Sequence, residues 1–586
     1  MQLIKYKAMP KWRGYGRDGF PRDAWVDPRY HAWFKRHQTS RRELAKQRKA
    51  KFAINPTFSI VVPLYKTPLD YLSDMVDSIL AQTYPNLELV LVNASPENAE
   101  LKDAVDAYAR ADSRIKVVSL DANLGITENT NEGLKVATGD FCCFCDHDDW
   151  IEPDLLHDYV KAINENPEID LLYCDEDLAD SNHHYLHPMF KPDFSPELLL
   201  SKNYIVHMMT IRRNIIDSMP RPDSQFDGAQ DFNMVLYAAE QARSVHHTPK
   251  VQYHWRISDT STAADPTAKP YGRRAGRKAT YNHYQRAGID ASINYSGIIN
   301  TYNPSFNEAE EKRCSIIIRQ TSSVDALINC VQALKQSEPA VHQFVLITDE
   351  REAVVQAFPG ENLAFVEPKT RLYADFNEAA AAATGDYLVF LDDTCVPLTA
   401  HAVTQLACAC SLDGVGVVGP KVLFRDYTVN AYGVAITPKR IMPLYRGYPD
   451  AHPGYQCNLF ASQNYSAITR AALTIRKDLF EAVGGFDEQF ESEIGAVDLC
   501  KRVIDAGMRV AAFNHVKFID VAEKPEVVYC NPDNASDFSD EDLARYDAKW
   551  PKARTIADPY FSPNLDPGSC HCQLDAGNVF PLPEAK

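Results

Sequence analysis

From Phe58 onward, short apolar runs alternate with amphipathic stretches. Phe58-Ser59-Ile60-Val61-Val62-Pro63 predicts a buried strand. Leu72, Met75, Val76, Ile79 and Leu80 recur at helical spacing and predict a helix over Leu69 to Gln82. The same reading gives strands at Leu87 to Val92, Ile115 to Leu120 and Phe141 to Cys145, and helices at Leu101 to Arg110 and Ile126 to Ala137. Strands alternating with helices predict an α/β fold, a mostly parallel, doubly wound sheet covered on both faces. In such sheets ligands bind beyond the carboxyl ends of the strands.

The pattern restarts further on. Cys314 to Ile318 predicts a strand, Ser323 to Leu334 a helix and Phe344 to Thr348 a strand. Asn131-Glu132-Gly133-Leu134-Lys135-Val136-Ala137-Thr138-Gly139-Asp140-Phe141 is similar to Asn377-Glu378-Ala379-Ala380-Ala381-Ala382-Ala383-Thr384-Gly385-Asp386-Tyr387. Both lead into an apolar strand that ends in aspartates. So long a period predicts a duplicated domain, not a solenoid. The reading divides the chain into a basic arm (1–55), a first domain (56–300), a second (311–522) and a tail (523–586), with the boundary in the polar stretch at 301–312.

The 586 residues carry a net charge of -18, which argues against nucleic acid as the main partner. The charge is uneven: residues 1–51 hold 15 Lys and Arg against 4 acids. That arm reads as a solvated helix or linker, or as a surface for anionic lipid or a phosphorylated acceptor. The 14 cysteines lie mainly within predicted strands, which fits free thiols in a reducing cytosol. Cys570-His571-Cys572 lacks a partner pair for metal binding. No signal peptide and no apolar run of about 18 residues is found, so a cytoplasmic location is expected.

Chemistry enters at Asp146-His147-Asp148-Asp149, directly after the fourth predicted strand. Carboxylates this close repel one another, and a cation among them relieves the repulsion. Hard divalent ions such as Mn2+ or Mg2+ suit oxygen ligands and also hold phosphates. An acidic turn capping the next helix, with Pro153 near its start, reads equally well from these residues alone.

Order adds information. Val62-Pro63-Leu64-Tyr65, Gln82-Thr83-Tyr84-Pro85, Asn123-Leu124-Gly125, Ala137-Thr138-Gly139-Asp140 and Asp146-His147-Asp148-Asp149 occur in sequence. Together they resemble the inverting glycosyltransferase family 2, of the GT-A fold, from about Pro56 to Arg256. A weaker copy covers about Cys314 to Asp520. The resemblance implies two tandem GT-A-like domains, a nucleotide-sugar donor, a divalent metal and single displacement at the anomeric carbon. It also implies Asp231, in Gly228-Ala229-Gln230-Asp231-Phe232, as general base at a helix head, with Gln230 replacing the family's other acid. A helix start favours the ionised form, though a plain N-terminal cap is the alternative. Asp146, Asp148 and His254 are expected at the metal, with Asp149 in support. Pro63, Tyr65, Asn93, Asn123, Gly125, Asp146, His147 and Arg256 are expected at the nucleotide sugar. In Tyr253-His254-Trp255-Arg256, the imidazole and guanidinium would offset leaving-group charge. Lys269-Pro270-Tyr271 and Arg273-Arg274 would form a lid.

Two departures stand out. The second strand ends Val92-Asn93-Ala94-Ser95 where the family has paired aspartates, which leaves uridine, thymidine and guanosine donors all open. In the second half, Leu391-Asp392-Asp393-Thr394 shifts the aspartates, Gly495-Ala496 stands where the acidic pair belongs, and Arg470 replaces a glycine. A degenerate second domain, retained for packing, acceptor grip or assembly, is expected, with rescue of the chemistry by Asp498 as the alternative. The tail Asp558-Pro559-Tyr560-Phe561-Ser562-Pro563-Asn564-Leu565 resembles bacterial two-domain members that build surface polysaccharides, and its prolines suggest an extended segment. The whole predicts a sugar transferase acting on a glycan acceptor, lipid-linked and reached at the inner face of the plasma membrane. A non-catalytic glycan-binding or scaffold protein is the alternative. A nucleotide-sugar pyrophosphorylase would want a Gly-rich basic loop, which Leu64-Tyr65-Lys66-Thr67-Pro68 is not.

Overall fold

The computed structural model describes residues 29–257, 270–297, 300–307, 312–338, 342–369, 371–522 and 538–575. These form two compact units. The first holds residues up to Lys191 and Ile205–Pro270. The second holds Pro192–Tyr204 and Tyr271–Gln573. The expected division at 301–312 differs from this one. The hairpin Ala291–Tyr295 and Tyr302–Phe306 belongs with the second unit, where both the amide and the carbonyl of Phe306 bond the Gln405 side chain at 2.9 and 2.8 Å.

The first unit opens with helices α1 (Tyr30–His37) and α2 (Arg41–Gln47). There follow β1 (Phe58–Leu64), α3 (Leu69–Leu80), β2 (Leu87–Asn93), α4 (Ala99–Ala111), β3 (Ile115–Ser119), α5 (Ile126–Val136) and β4 (Phe141–Phe144). These match the expected elements to within a few residues. Next come β5 (Trp150–Ile151), α6 (Leu155–Glu165), β6 (Ile169–Ala179) and β7 (Tyr185–Met189). Helix α7 (Pro196–Ser201) lies in the second unit, and β8 (Thr210–Arg212), α8 (Arg213–Ser218), α9 (Gln230–Gln241) and β9 (Ser244–Arg256) complete the first. The sheet runs β3-β2-β1-β4-β8-β6-β9-β5, with β7 on β6. Strands β1 to β4 pair in parallel, so their carboxyl ends share one edge.

The second unit repeats this strand order. Its strands run Leu363–Val366, Gln343–Ile347, Cys314–Arg319, Tyr387–Asp392, Leu473–Arg476, Val415–Phe424, Arg509–Asp520 and Cys395–Pro397. The duplicated Thr-Gly-Asp segment closes the amino-terminal end of each sheet. A Cβ on Gly139 would lie 2.7 Å from the Ser59 amide nitrogen, and one on Gly385 would lie 2.6 Å from that of Ser315. Glu88 accepts bonds from Ser59 and Thr138, and these with Lys116 hold its carboxyl down at about 2. Gln343 takes that place in the second unit, bonded by Ser315 and Thr384. The strongest internal repeat is therefore a packing device, at the end of the sheet opposite the aspartates.

The basic arm is anchored. Tyr30, Trp33 and Phe34 are buried, the Tyr30 hydroxyl donates to Asp177 at 2.7 Å, and Gln47 accepts from Thr83 at 2.9 Å. Of the described arm, Lys35, Arg36, Arg41, Arg42, Lys46, Arg48, Lys49 and Lys51 stay exposed. Twelve described cysteines are free, all buried except Cys457. Cys570 is disulfide-bonded, a departure from free thiols throughout. Among the described residues no helix is long and apolar enough to cross a membrane.

Candidate active site

Strand β4 delivers Asp146 to Asp149 to the carboxyl edge of the sheet. The Asp149 side chain is fully buried. It accepts from the Tyr253 hydroxyl at 2.6 Å and from the Arg256 amide at 2.8 Å. Burial, then the neighbouring Asp148 and Asp146, push its carboxyl well above the usual range. The Tyr253 oxygen also accepts the Asp146 amide at 3.1 Å, so one phenol fixes both ends of the loop. Asp146 itself is 44% exposed at the side chain.

A third partner comes from a segment in which the sequence carried no motif. His207 Nε2 lies 3.8 Å from Asp146 Oδ2, and its ring stacks on Tyr253 at 4.2 Å and 7°. Burial and the nearby Lys191 hold His207 down at about 3, so its ring is neutral and keeps a lone pair. Ligand atoms of Asp146, Asp149 and His207 lie within 4.8 Å of one another. Two carboxylates and a neutral imidazole are a donor set that suits Mn2+. Asp148 and His147 are half-buried in the same loop, and the Asp148 carbonyl accepts from Arg256 Nε at 2.6 Å.

His254, expected at the metal, stands elsewhere. Successive strand residues face opposite sides, and Tyr253 faces the aspartates. His254 Nδ1 meets Asp177 at 2.7 Å and Nε2 meets Glu152 at 3.2 Å, so both nitrogens are engaged. Although burial opposes the charge, these carboxylates raise the imidazole to about 9. An imidazolium has no lone pair for a metal. Arg256 is also interior. Its guanidinium lies over Tyr71 and Trp150 and bonds Asp74 at 2.7 Å, so it braces the loop from the interior.

Pro63, Tyr65, Asn93, Asn123 and Gly125 lie at or just beyond the carboxyl ends of β1 to β3. Pro63 is half-buried at the end of β1 and Tyr65 is 41% exposed just beyond it. Asn93 ends β2, and its side-chain oxygen accepts the Ser95 amide at 3.0 Å, an Asx turn that shapes the loop. Asn123 accepts the Gly125 amide at 3.0 Å and the Asn129 side chain at 2.9 Å. Gly125 sits at φ 94°, where a Cβ would press on Asp227 at 3.1 Å. Asp227, which the sequence reading passed over, accepts the Thr127 hydroxyl at 2.6 Å and so joins the head of α5 to the turn before α9. Asp231 is half-buried in the first turn of α9, and Gln230 folds back to accept the Gly228 amide at 3.1 Å. Arg273 and Arg274, expected in a lid, lie on the helix Pro270–Arg286, and Lys269 is outside the described residues.

In the second unit the corresponding corner is closed from within. Arg470 bonds both oxygens of Asp392, at 2.9 and 2.7 Å, and its amide donates to Glu493 at 2.7 Å. A guanidinium thus neutralises the carboxylate at that strand end. Asp393 is buried and caps the turn at Thr321 and Ser322. Asp498 is fully buried and bonds Arg502 at 2.9 Å and the Trp550 ring nitrogen at 2.8 Å, so it is committed to packing.

Residues 59–219 match glycosyl transferase family 2. This span includes the aspartates and His207, and ends before Asp231. An uncharacterized protein of Sinorhizobium fredii, y4gI, is 30% identical over 87% of this chain and 58% of its own length. The O-antigen biosynthesis protein RfbC of Myxococcus xanthus is 27% identical over 93% of this chain and 43% of its own. The chain therefore spans about half the length of these curated relatives. Among solved structures, S. aureus TarS 1-349 in complex with UDP-GlcNAc is similar at a TM-score of 0.32 and 21% identity, over 38% of this chain and 65% of that one.

Proposed function

We propose that the first unit transfers a sugar, with inversion, from a nucleotide diphosphate donor to a glycan acceptor of surface-polysaccharide assembly. The observation that carries this is the convergence of Asp146, Asp149 and His207 at the carboxyl edge of the sheet, within a family 2 domain. These residues, with Asp148 beside them, would hold a divalent ion, which supplies charge stabilisation to the departing diphosphate. Asp231 takes the acceptor hydroxyl proton at its carboxylate. Tyr253 and Arg256 keep the aspartate loop in place. The relative named for O-antigen biosynthesis supports the acceptor class. The second unit is read as non-catalytic, since Arg470 neutralises its strand-end aspartate.

Hydrolysis of UDP-, TDP- and GDP-sugars with Mn2+ or Mg2+ tests this. One donor should be turned over, EDTA should abolish the turnover, and titration should give one ion per chain. Turnover that persists in EDTA removes the ion from the reading, and inertness towards every donor and acceptor returns the chain to a scaffold role.

The exposed cations of residues 35–51 support peripheral contact with anionic lipid headgroups, which would bring a lipid-linked acceptor within reach. The full chain should sediment with anionic vesicles but not zwitterionic ones, and release as salt rises from about 0.1 M to about 0.5 M. Equal binding to both vesicle types would end that reading.

A further inference from the structure

Lys191 has a place in the first unit that the proposed chemistry does not use. It is buried, and its ammonium donates to the carbonyls of Ile205 at 2.6 Å and His207 at 2.5 Å. Glu176, buried on β6, lies 3.2 Å away. The Lys191 backbone is pinned as well. Its amide donates to Asp175 at 2.7 Å, and Asp175 in turn meets His247 at 3.0 Å.

The residues it grips are the ones that set His207. Val206, between the two carbonyls, sits at φ 36°, a backbone that β-branched side chains avoid. Such a conformation persists only where the surroundings over-determine it. A single ammonium bonding the carbonyls on both sides of Val206 does that. Residues 192–204, between Lys191 and Ile205, belong to the second unit, so Lys191 closes the neck where the chain leaves the first unit and returns. His207 is on the returning limb, its ring stacked on Tyr253 and its Nε2 turned to Asp146.

We propose that Lys191 is the positioning residue of the ion site, its ammonium clamping residues 205–207 so that the His207 imidazole faces Asp146 and Asp149. The inference rests on the ion site proposed above. Groups that orient a metal ligand without touching the metal typically change affinity by roughly 10- to 100-fold when removed.

The test is Mn2+ affinity of the full chain, read from the electron paramagnetic resonance signal of free Mn2+ without any nucleotide. Lys191→Met should weaken binding roughly 10- to 100-fold, and His207→Ala should weaken it at least as much. Ile79→Ala, a core substitution on α3, lowers stability while removing none of the clamp's hydrogen bonds and should leave affinity within about twofold. Should Lys191→Met fail to fold, as judged by circular dichroism, Lys191→Gln replaces it with the same expectation. Wild-type affinity in the Lys191 variant beside a weakened His207→Ala overturns the clamp and leaves the ion site standing. A weakened Lys191 variant beside an unchanged His207→Ala also overturns it, because the effect would not run through His207. A weakening by Ile79→Ala equal to that of the Lys191 variant reduces Lys191 to general stability. No Mn2+ binding by the wild type overturns the ion site and the clamp together.

Discussion

Replacing Asp231 with Asn should lower sugar transfer by roughly 10²- to 10⁴-fold, the range lost with a general base. The amide keeps the size of the carboxylate but cannot take the acceptor proton. Asp231 lies in the first turn of α9, at the positive end of the helix dipole. Gln230 has no basic oxygen of comparable strength and is folded onto the Gly228 amide, so it does not stand in. Steady-state kcat at saturating donor, with Mn2+ affinity measured in parallel, reads this directly. Affinity should stay within about twofold while kcat collapses. A variant that turns over within a few-fold of wild type would take Asp231 out of the mechanism.

The second large effect concerns stability. His254→Gln should destabilise the protein by about 3–5 kcal/mol, the usual cost of leaving buried charges without their partner. Asp177 and Glu152 would lose the imidazolium between them, and Tyr30 and Gln38, which bond the same carboxylates, would hold α1 less firmly. The pH dependence follows from the same residue. Its value is about 9 in the native state against about 6.5 when unfolded, so the native state binds the proton more tightly. The stabilisation is fully present below about pH 6.5 and is lost as pH rises through about 9, a change on the order of 3 kcal/mol. Urea midpoints at pH 6, 7, 8 and 9 should fall more steeply for wild type than for His254→Gln. Parallel profiles, or an unchanged midpoint at pH 6, would show that His254 is not an interior cation.

The stability outcome turns on which side of β9 a residue faces. Tyr253 and His254 are adjacent in the chain, in a segment whose imidazole and guanidinium are expected at the leaving group. Strand geometry separates them. Tyr253 points to the aspartates and His254 points under α1. Alternation itself is legible from sequence, but the face that becomes the site depends on what packs against each side. Arg256 illustrates the same limit, because a buried brace and a phosphate ligand need the same guanidinium.

The pattern of apolar positions by itself determined the alternating strands and helices from Phe58 to Phe144, the duplication and the placing of Asp146 to Asp149 at a strand end. These are local properties, since side-chain period and strand termination need no distant partner. The departures of the second copy, Gly495-Ala496 in place of an acidic pair and Arg470 in place of a glycine, were also legible. Only the tertiary structure decided that His207, some sixty residues beyond the aspartates, completes their cluster, that Lys191 holds it and that Arg470 closes on Asp392. It also decided that the Thr-Gly-Asp repeat is a packing device at the opposite end of the sheet. The reason is physical. A ligand set and a buried ion pair are made by approach through space, and the order of residues along the chain does not record which distant side chains a sheet and its loops will bring together.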